Sequence, residues 1–70
     1  MNGIEYQTIW LNLAGRRYQF GYNVKANSMV LDYNGRWLTV GEEGITLSCG
    51  QQVSRANLFL TIQSKIAKLN

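Results

Sequence analysis

Residues 29–40 read Met-Val-Leu-Asp-Tyr-Asn-Gly-Arg-Trp-Leu-Thr-Val, with Asn34-Gly35 at their centre. A two-residue type I′ turn needs positive φ at both central positions, and Asn-Gly adopts it at the least cost. The turn predicts a hairpin of strands at about 28–33 and 36–40. It places Tyr33 opposite Arg36, Asp32 opposite Trp37, Leu31 opposite Leu38, Val30 opposite Thr39 and Met29 opposite Val40. Strand side chains alternate between faces. Met29, Leu31, Leu38 and Val40 therefore share one face and read as core. Val30, Asp32, Trp37 and Thr39 share the other, so Trp37 is directed away from the main apolar layer.

Upstream, residues 16–24 alternate cleanly. Tyr18, Phe20, Tyr22 and Val24 point one way, and Arg17, Gln19, Asn23 and Lys25 flank them on the other parity, a half-buried strand. The strand before it, about 4–12, carries apolar residues at both parities, so its register rests on the turn. Ala14-Gly15 lacks the Asn or Gly that a two-residue turn prefers at its first position. A three-residue loop, Leu13-Ala14-Gly15, fits better, with Gly15 left-handed. It pairs Asn12 with Arg16, Trp10 with Tyr18, Thr8 with Phe20, Tyr6 with Tyr22 and Ile4 with Val24. Ile9 and Leu11 then fall on the opposite face, beside Arg17 and Gln19.

Downstream, a fifth strand at about 45–49 buries Ile45, Leu47 and Cys49. The last twenty residues change to helical spacing. Ser54 is placed to cap a helix at about 55–68, with Val53 and Leu58 at the positions of a hydrophobic staple. Phe59, Ile62, Ile66 and Leu69 form an apolar stripe, while Lys65 and Lys68 sit where the helix dipole favours cations. Leu60 lies off the stripe. The expectation is one α+β domain over residues 1–70: a five-stranded antiparallel β-meander with one C-terminal α-helix packed on the sheet. Partial curling into a small barrel is the alternative.

Composition removes several function classes. The 70 residues contain one cysteine, no histidine and no proline. A disulfide scaffold, a four-ligand zinc site and histidine-based catalysis are therefore excluded. No apolar run is long enough to span a bilayer, and residues 1–8 do not read as a signal peptide. A reduced, cytoplasmic setting is expected. Glu42 and Glu43 are neighbours in a glycine-flanked loop, where two carboxylates do not converge across a cleft. Neither a Mg²⁺ site with Asp32 nor a phosphate loop has the required spacing. Cys49 reads as a small buried hydrophobe; a reactive thiol would need a nearby cation or helix start. No catalytic residue, metal site or cofactor is assigned.

What remains is surface. Seven Lys+Arg against four Asp+Glu give a net charge of +3. Arg16, Arg17, Lys25 and Arg36 are balanced by the acids, and the surplus lies in Arg55, Lys65 and Lys68 on the helix. Ile9, Leu11, Val30 and Trp37, flanked by Arg17 and Arg36, have the composition of a protein interface. The expected function is that of a small non-enzymatic protein that docks on another protein. Inhibitors and adaptors encoded by compact or mobile genomes share this profile. The alternative is a basic β-module that binds nucleic acid through Arg16, Arg17, Lys25, Arg36, Arg55, Lys65 and Lys68, with Tyr18, Tyr22 and Trp37 as stacking platforms. A homodimer suits a core this small.

Overall fold

A computed structural model describes residues 5–69, in two compact units that divide after Val40. The first is a four-stranded antiparallel sheet of β1 (Gln7–Leu13), β2 (Arg16–Asn23), β3 (Ser28–Tyr33) and β4 (Arg36–Thr39), in that spatial order. It is open, so the barrel alternative does not hold.

The Asn34-Gly35 hairpin has the expected register, from Tyr33↔Arg36 to Val30↔Thr39. Asn34 and Gly35 have φ of 54° and 81°. The pairing extends by a hydrogen bond in which the Val40 amide donates to the Met29 carbonyl at 3.0 Å.

The first hairpin corrects the sequence reading. Its loop is two residues, with Ala14 at φ 53° and Gly15 at φ 79°, and Leu13 rather than Asn12 pairs with Arg16. Ile9 faces Phe20, Leu11 faces Tyr18 and Gln7 faces Tyr22. This one-residue slip turns every side chain of β1 to the other face. Ile9 and Leu11 are buried, Leu11 to 2% exposure, with Phe20, Tyr22 and Met29. Tyr6 and Trp10, expected beside the core, are exposed. Left-handed alanine costs roughly 1–2 kcal/mol. Burying two aliphatic side chains contributes roughly 1.5–3 kcal/mol each, which outweighs it. Those side chains also bring no polar atom inside, whereas tyrosine and tryptophan bring an O–H or N–H that needs a partner. The Ile4–Val24 pair lies outside the described residues. Val24 itself is exposed, in a turn where the Asn23 side chain accepts the Ala26 amide at 3.0 Å.

Leu38 is a second correction. It shares the face of Leu31 but is 45% exposed, because β4 is an edge strand whose four residues are all exposed. Met29 and Val40 are buried as expected.

The second unit holds no fifth strand of the sheet. β5 (Ile45–Thr46) pairs instead with β6 (Gln52–Val53) in a separate two-stranded ladder. The Leu47 amide closes the connecting loop by donating to the Gln51 carbonyl at 2.7 Å. Leu47 is buried and Ile45 half-buried, but Cys49 lies in the loop and is exposed, against expectation. α1 (Arg55–Leu69) begins where expected: Ser54 Oγ accepts the Asn57 amide at 3.2 Å. That satisfies one of the amides left open at a helix start. Leu58 and Ile62 are fully buried and Leu60 is exposed, as the stripe predicts.

Candidate functional site

The corrected register builds a different outer face on the sheet. Trp10 pairs with Gln19, and Asp32 with Trp37. Phe20 pairs with Leu31, so the next residues in register, Gln19 and Asp32, stand level. One cross-strand row therefore reads Trp10, Gln19, Asp32, Trp37, with a tryptophan on each edge strand. The row beneath reads Thr8, Gly21, Val30, Thr39. Trp10 and Trp37 are 45% and 48% exposed, so both present a large part of the ring to solvent.

Gly21 shapes the floor. A Cβ placed there would meet Val30 Cγ2 at 2.8 Å and Tyr6 Cβ at 3.3 Å. The Tyr6 ring is tied down beyond it by a 2.7 Å hydrogen bond between its hydroxyl and Ser28 Oγ. The result is an almost wholly apolar groove of about 360 Å³ lined by Tyr6, Thr8, Gly21, Val30 and Trp37. At the other edge the Arg17 guanidinium lies 4.6 Å from the centroid of Trp10. That contact holds the indole in place and keeps the cation in reach of solvent.

Of the residues expected to dock a partner, Trp37, Val30 and Arg17 occur together on this face. Ile9 and Leu11 do not: their burial removes them. Arg36 pairs with Tyr33, one residue out of phase with Trp37, so it projects on the other parity. The cations expected for nucleic acid belong to several elements. Arg16 alternates with Arg17, Lys25 is in the turn after β2, and Arg55, Lys65 and Lys68 belong to α1. Arg55 lies 4.7 Å from the Phe59 ring centroid, one helical turn away.

Sequence reasoning missed Tyr6, Thr8, Trp10 and Gly21. The signal was present in the parity of the first strand. One parity holds Ile9, Leu11 and Leu13, with Gln7 the polar residue at its start, and the other holds Tyr6, Thr8, Trp10 and Asn12, each with a polar atom.

Among the described residues no group of three or more His, Cys, Asp or Glu is placed to hold a metal ion. No helix among them is long and apolar enough to cross a membrane. No protein-family model, curated protein or solved structure matches the chain.

Proposed function

We propose that this is a small non-enzymatic binding protein, of inhibitor or adaptor type, that docks on another protein through the outer face of its sheet. The observation that carries the reading is the pair of half-exposed tryptophans, one on each edge strand, beside an apolar groove. Tryptophan is enriched among the residues that dominate interface energetics, and docking of this kind centres on aromatic anchors that fill pockets. Tyr6 and Trp10 are each held by a neighbour, which lowers the entropy lost on binding. The nucleic-acid alternative draws on the same aromatic rings, but Arg17 is the one cation on this face of the four strands, among the described residues. Phosphate-tracking surfaces carry denser positive charge.

The test is affinity capture from nuclease-treated lysate with wild type, Trp37→Ala and Trp10→Ala. Both variants are expected to unfold thermally close to wild type and to lose a protein that wild type retains. Capture that persists in both, or that nuclease abolishes, overturns the reading.

A further inference from the structure

The strand β4 is an edge, and the backbone of its free side is legible from the hairpin. Opposed residues of an antiparallel pair alternate between hydrogen-bonded and non-hydrogen-bonded. The Val40 amide donates to the Met29 carbonyl, so Leu31–Leu38 and Tyr33–Arg36 are also hydrogen-bonded pairs. The N–H and C=O groups of Trp37 and Thr39 therefore point away from β3, and no backbone partner meets them among the described residues. Natural sheet edges are blunted by lysine, proline or a bulge. Trp37-Leu38-Thr39 has none of these, and its register with β3 is unbroken. Leu38 is 45% exposed on the parity of the buried Val40, an apolar side chain without cover. The other edge, β1, has no such gap, since Ile9 and Leu11 are buried.

We propose that β4 pairs antiparallel with β4 of a second copy of this chain, about a two-fold axis at Leu38. The edge is self-complementary in that one register. Trp37 then faces Thr39 of the second copy, and four hydrogen bonds satisfy every outward group of the two residues in both strands. A shift by two residues pairs Trp37 or Thr39 with itself and leaves the other facing Gly35 or Gly41, outside the strand. The same register closes Leu38 against Leu38 and sets an aromatic ring beside a β-branched side chain. Charge agrees with it. Arg36 falls opposite Val40 of the second copy, next to Gly41, where Glu43 Oε1 lies 2.6 Å from the place a Cβ would take. Neither Arg36 nor Glu43 has an ion-pair partner in its own chain among the described residues. The two Arg36 residues are separated by about 13 Å along the ladder, more than a Debye length. So short a ladder buries little area and makes a weak dimer, formed at high concentration. This interface is independent of the docking reading and leaves the outer faces of both sheets open.

Sedimentation velocity of the intact protein from about 10 µM to 1 mM is expected to show a monomer passing to a dimer. Thr39→Pro removes an outward amide without touching the ladder to β3, and Leu38→Lys places a charge on the axis. Each variant, checked by thermal unfolding, is expected to weaken the dimer about tenfold or more. Register is read by oxidation in a Cys49→Ser background. Leu38→Cys places its two sulfurs on a non-hydrogen-bonded pair, with Cα atoms about 4.5 Å apart, and is expected to form the disulfide-linked dimer. Thr39→Cys, which faces Trp37 of the second copy, is expected to link much more slowly. A monomer throughout the concentration range overturns the proposal, as does a dimer that both Thr39→Pro and Leu38→Lys leave at full strength. Faster linking through Thr39→Cys than through Leu38→Cys overturns the two-fold axis. A chain that stays monomeric, and whose Trp37 and Thr39 amides gain exchange protection only with another bound protein, shows a foreign strand on this edge and overturns the proposal too. Loss of the dimer leaves the docking reading standing, because its own test uses Trp10 and Trp37 and neither Leu38 nor Thr39.

Discussion

The two β-hairpins of the sheet adopt almost the same turn from different chemistry. Ala14-Gly15 and Asn34-Gly35 have φ pairs of 53°, 79° and 54°, 81°. Asn34 enters the left-handed region readily, because its short polar side chain is tolerated there, whereas Ala14 enters it against a steric penalty. In the second hairpin, turn and strands agree on the register. In the first, the strands impose it on the turn. Local preference is thus decisive only where burial does not oppose it, and two buried aliphatic side chains outweigh one strained alanine.

The comparison breaks first at Leu11. Leu11→Ala is expected to cost about 2–5 kcal/mol in chemical denaturation, since the side chain is almost wholly buried. Trp10→Ala, one residue away, is expected to cost about 1 kcal/mol or less. The reverse order would restore the three-residue loop and the opposite face.

Asn34→Pro comes next, with an expected loss of about 2–3 kcal/mol. Proline is locked near φ −65° and cannot supply the positive φ of this turn. Unfolding of the variant at the wild-type temperature would show that the hairpin does not need its type I′ turn.

Gly21→Ala is expected to cost about 1–2 kcal/mol by overpacking, and to quench any groove-dependent binding. Its Cβ meets the end of the Val30 side chain at 2.8 Å, so a structure of the variant should show Val30 or Tyr6 displaced. Unchanged stability together with unchanged groove amide shifts would remove Gly21 from the argument.

Ala14→Asn makes the first turn chemically like the second and is expected to raise stability by roughly 0.5–1 kcal/mol with no change in register. A destabilised variant would mean that Ala14 is not strained.

Much of this was legible in the residues. The Asn34-Gly35 register, the outward Trp37, the alternation of β2 and the Ser54-capped helix each depend on neighbours within a few positions. The candidate site was half legible. Trp37, Val30 and Arg17 followed from period two, while Trp10, Tyr6 and Gly21 needed the register of β1. Leu38 and Cys49 misled for a related reason. An apolar residue is buried only if something covers it, and an edge strand or a loop does not guarantee cover.

The α+β class, the second hairpin and the helix start can be read along the chain. These are set by backbone φ preferences and by hydrogen bonds between residues close in the chain, which a linear string displays. The face that β1 buries, the pairing of Ile45–Thr46 with Gln52–Val53 and the meeting of Trp10 and Trp37 on one surface depend on long-range packing. Those outcomes are sums over contacts between distant residues. There a penalty of 1–2 kcal/mol in a turn is set against burial terms that no local window contains.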